Sequence, residues 1–371
     1  MRTMTVHSPQ EFATALGAKL ATRSRHVCAF IGAGAAKACG LPDVKGLEAT
    51  VQAQLAGADR TAFNRLLDGR NIEQVLSRLR RIAGLVTGIE TVDSLTATQA
   101  DALDKSVCKA IVSALDIGPA NLTPMRHLAA WAARADYRHP VEIFTVNYDL
   151  LLETALEGHG VPYFDGFVGN LQARFRTDLV EAPVGDPGGY VASRFVRLWK
   201  LHGSVNWVRS DDDQIVRTGQ PAKDLPAAIY PSDAKYEESR RVPFLVLQDR
   251  LRRALHQPET IVLVSGFSFT DDHLNEMLFD AAIRRERSEF VVFSHGDISD
   301  NLAERAGRTP NIQVIGRSEA ILGGVRRNWN APDNDIPDLW VDGKLALPDF
   351  TCLASYLARS SAQDGEAYGN A

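Results

Sequence analysis

Four short stretches carry residue types able to do chemistry: Gly32-Ala33-Gly34, Asn147-Tyr148-Asp149, His202-Gly203 and Gly266-Phe267-Ser268. Glycines one residue apart after an apolar run let backbone approach a diphosphate, and the N–H groups opening the next helix favour its negative charge. Gly32 and Gly34 therefore make a nucleotide the first ligand to consider. The dinucleotide fingerprint is incomplete, because Lys37 stands where a third glycine is usual. An amide and a carboxylate at a strand end, Asn147 and Asp149, suit the orientation of a polar ligand. A histidine delivered to a loop, His202, suits proton transfer near neutral pH, with an ordinary pKa of about 6.5.

Each stretch also has an ordinary structural explanation. Glycines after a strand can serve only helix packing, Asn147 or Asp149 can cap the next helix, and His202 can be a satisfied structural residue. Their shared placement is harder to explain that way. His26–Ile31, Val141–Val146, Phe195–Leu201 and Thr260–Ser265 all read as buried strands of a parallel sheet, each ending in one of these loops. In open parallel sheets the carboxyl edge is where ligands sit.

The elements that must hold these loops read as α/β: a Rossmann-like parallel sheet flanked by helices. Phe12, Leu16 and Leu20 recur at helical spacing before the first strand, and residues 46–138 are helical almost throughout, with Asn71 and Asp101 as candidate caps. That region reads as a helical insertion between the first two strands. Arg78, Arg80 and Arg81 lie on one of its helices, where a solvated face or subunit contact explains them better than nucleic acid. Residues 206–258 read as a loop insertion, marked by Asp211-Asp212-Asp213, Gly219, Pro221 and Pro226. Within it Ile229-Tyr230-Pro231 is extended, Tyr230 or Lys235 could line the site, and Val242–Leu255 is an amphipathic helix. Glu289–Phe293 and Asn311–Ile315 add two strands. Residues 1–320 then form one domain and 321–371 a C-terminal extension suited to an oligomer or partner contact, with Trp329 and Trp340 either interface aromatics or buried against the same domain, and a frayed tail after Ser360.

With 371 residues and 45% hydrophobic content the chain can bury a sizeable core. A net charge of −5 gives no global basic field for nucleic acid. Neither a signal-like start nor a run of membrane-spanning length is evident, so a cytoplasmic protein is expected. Cys28, Cys39, Cys108 and Cys352 contain no Cys-x-x-Cys pair, which argues against a zinc module and a disulfide framework.

On Gly32-Ala33-Gly34 through Gly40-Leu41-Pro42-Asp43, Thr145-x-Asn147-Tyr148-Asp149, Leu201-His202-Gly203-Ser204 and Gly266-x-Ser268, in that order, the chain resembles the sirtuin-like NAD-consuming superfamily. Within it, the bacterial branch of NAD-hydrolysing anti-phage defence proteins is most similar. The resemblance implies that Gly32, Ala33 and Gly34 hold the NAD diphosphate and that Pro42 and Asp43 lie near the nicotinamide. It further implies that Asn147 and Asp149 contact the nicotinamide and its ribose, that His202 is the catalytic histidine, and that Gly266 and Ser268 close the site around the phosphates and the adenosine ribose.

The departures from the family are specific. Ala36 replaces the usual Ser, Val146 the common Gln, and Val44-Lys45 the usual Phe-Arg. The four-cysteine zinc module of the deacylases is missing between His202 and Gly266. Without the shielding aromatic at Val44, water rather than an acyl-lysine is the expected nucleophile. The resemblance therefore implies an NAD glycohydrolase with NAD as substrate and no metal. It also implies restraint of a toxic activity by homo-oligomerisation, or by a partner such as a HerA-type hexameric ATPase. A deacylase or ADP-ribosyltransferase, and a non-catalytic module that senses NAD or ADP-ribose, remain the alternatives.

Overall fold

A computed structural model describes residues 6–22, 24–134, 137–182, 195–210, 214–222, 227–229 and 242–360. Asp211-Asp212-Asp213, Pro226, Tyr230, Pro231, Lys235 and the tail after Ser360 lie outside the described residues.

Ser8 caps α1 (Pro9–Leu20) by accepting from the Glu11 amide, with Pro9 at the first helical position. The chain enters the sheet through β1 (Val27–Ile31), every residue of which is buried. Helices then follow without interruption by strand: α2 (Ala33–Ala38), α3 (Val44–Gln54), α4 (Gly57–Leu67), α5 (Ile72–Leu85), α6 (Ala97–Ala114) and α7 (Thr123–Arg134). Asn71 is the N-cap of α5, in a reciprocal capping box with Gln74. Asp101, expected as a cap, lies inside α6, whose N-cap is Thr96. Thr96 has Gln99 three residues on, the same box chemistry one turn earlier.

After β2 (Glu142–Thr145) come α8 (Leu151–Gly158), β3 (Tyr163–Phe164), β4 (Phe167–Val168), β5 (Gln172–Phe175), α9 (Thr177–Glu181) and β6 (Val196–Lys200). Where loop was expected after Asn206 the described residues form strands, β7 (Gly203–Arg209) and β8 (Ile215–Thr218), while β9 (Ala227–Ile229) includes the expected extended Ile229 and α10 (Phe244–Leu255) lies within the expected amphipathic helix. β10 (Ile261–Ser265), α11 (Asp272–Arg284), β11 (Glu289–Ser294), α12 (Asp300–Arg308) and β12 (Ile312–Gly316) complete the α/β alternation. β13 (Glu319–Leu322), β14 (Val325–Asn328), β15 (Trp340–Val341), β16 (Lys344–Leu345) and α13 (Phe350–Ser360) end the described chain.

The main sheet has nine strands in the order β14-β13-β12-β11-β10-β1-β2-β6-β3. Neighbours are parallel from β12 to β3, while β13 and β14 join antiparallel at one edge. Alternation along the strands sends Val27, Ala29 and Ile31 to a core shared with α1 to α8 and α13. Cys28 and Phe30 face the opposite core, shared with α10, α11 and α12. Fully burying each large apolar side chain contributes about 1.5–3 kcal/mol, so a sheet covered on both faces is the stable arrangement for such apolar runs.

β4, β5, β7, β8 and β9 form a second, antiparallel sheet in the order β4-β5-β8-β7-β9. The reversal from β6 into β7 is made at Gly203, whose φ of 91° suits glycine. His202 thus sits at the corner between the two sheets.

The expected boundary at 320 does not hold, because it falls inside β13, a strand of the main sheet. Trp329 and Trp340 are buried, Trp329 Nε1 donates to the Gly316 carbonyl at 2.9 Å, and Tyr356 Oη donates to the Ala13 carbonyl at 2.6 Å. The C-terminal residues therefore complete the core of the same domain, and these two tryptophans offer no exposed interface.

At the amino ends of the strands Glu142 is fully buried. It accepts from Arg250 Nε and Nη2 at 2.8 and 2.5 Å and from Trp199 Nε1 at 2.7 Å, with His26 Nε2 2.9 Å away. Burial opposes its charge, but Arg250 and His26 hold its carboxyl well below the usual range. This cluster lies at the sheet end opposite the candidate residues.

Candidate functional site

Strand order fixes where a site can form. From β1 the sheet extends outward through β2, β6 and β3 on one side, and through β10, β11 and β12 on the other. The connections diverge to opposite faces between β1 and β10: α2 packs in one core and α11 in the other. That crevice, outside the carboxyl ends of the strands, is the topological switch point at which open α/β sheets bind ligands.

Three expected residues meet there in backbone contact. Gly32 N–H donates to the Ser265 carbonyl, and Gly34 N–H to the Gly266 carbonyl, each at 2.9 Å. A Cβ on Gly32 would stand 2.4 Å from the Gly266 oxygen, and one on Gly266 would stand 2.5 Å from the Ala35 nitrogen. Gly266 also has a φ of 69°. These glycines are thus required by the close crossing of two loops. The Gly34 amide is spent on that crossing and not on a phosphate.

Asn147 joins the same point. Its Nδ2 donates to the Gly32 carbonyl at 3.1 Å, and its backbone N–H to Thr145 Oγ1, whose hydroxyl in turn donates to the Ile31 carbonyl at 2.8 Å. The amide is therefore buried and held in one orientation at the tip of β2. Asp149 is buried two residues on, where its Oδ1 accepts from the Leu151 amide at 3.0 Å and opens α8. Burial raises its carboxyl pKa, partly offset by Lys200. The buried Lys200 ammonium donates to the Asp149 and Tyr148 carbonyls and pairs with Glu153 at 2.9 Å, fastening this loop to β6.

His202 is buried between two carboxylates. Its Nε2 lies 3.2 Å from Asp271 Oδ2, and its Nδ1 lies 3.5 Å from Glu73 Oε1. Burial alone would lower its pKa, but the two carboxylates outweigh burial and lift it to about 9. Its surroundings thus favour the protonated ring over the expected neutral base. Against the cost of burial, His202 keeps the Glu73 and Asp271 carboxyls below their ordinary values. Glu73 Oε1 also accepts from Tyr148 Oη at 2.5 Å, which ties His202 through Glu73 to the residue between Asn147 and Asp149.

Neither carboxylate was among the expected residues. Glu73 is in the first turn of α5, where an acidic residue ordinarily reads as dipole compensation. Asp271 does cap a helix: its Oδ1 accepts from the His273 and Leu274 amides at 3.0 and 3.1 Å, leaving Oδ2 for His202. Its place at the end of the β10 loop is the signal that could have found it.

Other expected residues stand apart from this network. Asp43 is the N-cap of α3, accepting from Gly46 N at 2.9 Å, and it pairs with Lys37 at 2.6 Å, which holds its carboxyl below the usual range. Pro42 packs beside Gly46 in the same turn. Ser268 is exposed and bonds only locally, its Oγ 2.9 Å from Thr270 Oγ1. Ala33 opens α2, with Ala36 buried behind it. Val44 is exposed. Among the described residues no three His, Cys, Asp or Glu side chains group as metal ligands, and no helix is long and apolar enough to cross a membrane.

No curated protein matches this chain. Two solved structures align along it, both of Sir2 homologue point mutants in complex with ADP-ribose. One shows 13% identity and a TM-score of 0.47, the other 12% and 0.42, each covering 96% of this chain and 99% of that one. Likeness this low supports no transfer of residue roles. A family model described as SIR2-like domain matches residues 141–315, so the chain is similar to that family over the segment carrying Asn147, Asp149, His202, Gly266, Ser268 and Asp271.

Proposed function

We propose that this chain hydrolyses NAD at the nicotinamide N-glycosidic bond, giving nicotinamide and ADP-ribose. The observation that carries this proposal is the meeting of the β1, β2, β6 and β10 tips at one switch point, with an oriented amide at Asn147 and an ionised cluster at His202. The SIR2-like match over residues 141–315 supports the same substrate class.

The bond between the ribose anomeric carbon and the pyridine nitrogen breaks, and its electron pair neutralises the departing ring. The sugar is left with oxocarbenium-like charge. Two carboxylates around one imidazolium make the Glu73, His202 and Asp271 cluster net negative, and such a fixed field favours positive charge developing beside it. Water then bonds to the anomeric carbon and gives up a proton. At neutral pH His202 is already protonated, so its role is that of donor to a ribose hydroxyl or to the water. Asp271, whose Oδ2 lies 3.2 Å from His202 Nε2, is the adjacent carboxylate placed to take the proton from water. Asn147 orients the nicotinamide amide or the water.

In the cell this activity would deplete NAD during anti-phage defence, in a cytoplasmic oligomer restrained by a partner such as a HerA-type ATPase. The sequence resemblance alone supports that setting.

The test is chromatography of NAD incubated with wild type, Asn147→Ala and His202→Ala, with and without the candidate partner. Nicotinamide and ADP-ribose should appear in equal amounts with wild type and disappear in both variants. Nicotinamide released only in proportion to a modified or deacylated acceptor would instead indicate transfer, and NAD binding without turnover would indicate a sensing module.

A further inference from the structure

Glu73 belongs to the helical insertion, yet its carboxylate reaches the strand tips. The capping box between Asn71 and Gln74 fixes the first turn of α5, and Ile72, Val75, Leu76, Leu79 and Ile82 are buried, so the helix presents Glu73 from a rigid support. One oxygen, Oε1, accepts from Tyr148 Oη at 2.5 Å and stands 3.5 Å from His202 Nδ1, a charge contact and not a hydrogen bond. Tyr148 is itself bound to the His202 loop, since its carbonyl accepts from the Val205 amide at 2.9 Å and from Ser204 Oγ at 3.3 Å.

We infer that Glu73 is a positioning residue of the reaction centre, joining the β2 and β6 loops and fixing the His202 ring so that Nδ1 faces the insertion and Nε2 faces Asp271 and the substrate. Its kinetic consequence rests on the NAD hydrolysis proposed above; its hold on the ring does not. On the Nε2 side of the ring stands Asp271, whose carboxyl His273 also helps to lower. Ring orientation matters because a donor aimed at a ribose hydroxyl or water must be placed within a few tenths of an ångström and 10–20° to act.

A simpler role would leave Glu73 as nothing more than the acceptor for a buried phenol. Glu73→Gln and Tyr148→Phe separate the two. Glu73→Gln keeps an acceptor for Tyr148 but removes the charge beside His202, whereas Tyr148→Phe removes the phenol and leaves the carboxylate. The probes are the ring nitrogen and carbon shifts of His202, titrated by NMR in each protein, and nicotinamide release against NAD concentration and pH.

In wild type the ring should carry a proton on both nitrogens at pH 7. In Glu73→Gln its titration should move down by on the order of one unit or more, and kcat should fall roughly tenfold or more with KM little changed. Tyr148→Phe should leave the ring titration close to wild type. A neutral His202 ring in wild type at pH 7 would overturn the proposal, and so would a titration unaltered in Glu73→Gln. Should Glu73→Gln fail to fold, Glu73→Asp, which draws the charge back from Nδ1 by one methylene, should move the titration down in the same direction, and an unaltered titration in it would overturn the proposal. A wild type that releases no nicotinamide but shows the expected ring behaviour would sink the hydrolase proposal and leave the hold of Glu73 on His202 standing.

Discussion

The crossing of the Gly32 and Gly266 loops can be tested by adding a single methyl group. In Gly266→Ala the new Cβ meets the Ala35 nitrogen at 2.5 Å and the Gly32 oxygen at 3.0 Å, and the residue must keep a φ of 69°. The left-handed conformation costs about 1–2 kcal/mol for alanine. Forcing two backbones apart costs about 1–3 kcal/mol more, for a total of about 2–5 kcal/mol. Gly40→Ala isolates the first cost, since Gly40 has a φ of 91° but nothing within 4 Å of the added atom. Gly84→Ala, in α5 with open space around it, carries neither cost and should gain about 0.5–1 kcal/mol of helix stability. Urea unfolding of the four proteins should therefore order the midpoints Gly84→Ala, wild type, Gly40→Ala, Gly266→Ala. Because the Gly32 carbonyl orients Asn147, Gly266→Ala should also lose nicotinamide release at urea-free conditions where it remains folded. A Gly266→Ala midpoint equal to that of Gly40→Ala would refute the crossing as the reason for glycine.

At the other end of the sheet, Glu142→Gln leaves Arg250 and His26 buried without their counter-charge, and should cost about 3–5 kcal/mol by the same unfolding measurement. An unchanged midpoint would show that the cluster contributes nothing. His202 predicts a pH dependence of stability. Its pKa rises from about 6.5 unfolded to about 9 folded, so its contribution is complete below pH 6.5 and is lost as pH rises through 9. The amount is on the order of 3 kcal/mol, and His202→Gln should flatten the stability profile between pH 6.5 and 9.5. A profile with the same slope in both proteins would contradict the imidazolium.

Much of the site scaffold was legible because parallel strands buried on both faces are short apolar runs, and the polar or glycine residue that ends each run marks the carboxyl edge. β1, β2, β6 and β10 were found that way, with Asn147 and His202 at their tips. The helices before β2 were legible from apolar spacing alone. The second sheet was not: β4 and β9 are too short to show alternation, and β7 mixes Asn206 and Trp207 into a run that is followed in the sequence by three aspartates. The β13–β14 hairpin did carry a signal, since Gly323 and Gly324 both adopt positive φ, 55° and 79°, as a two-residue turn requires. Placing a boundary there hid it. Glu73 had no local signature, because its role depends on a long-range approach of α5 to the β2 and β6 tips. The protonation of His202 followed from that same approach and from Asp271, and a histidine read by itself has neither neighbour.

The most direct measurement is a crystal structure of His202→Ala grown with NAD, since a silent variant preserves the intact dinucleotide. Its nicotinamide riboside should lie at the tips of β1, β2 and β6, with the Asn147 amide within hydrogen-bond reach of the nicotinamide end and the diphosphate beside α2 and the Gly266 loop. NAD seated on another face of the molecule, or with its adenosine end at Asn147, would contradict the account.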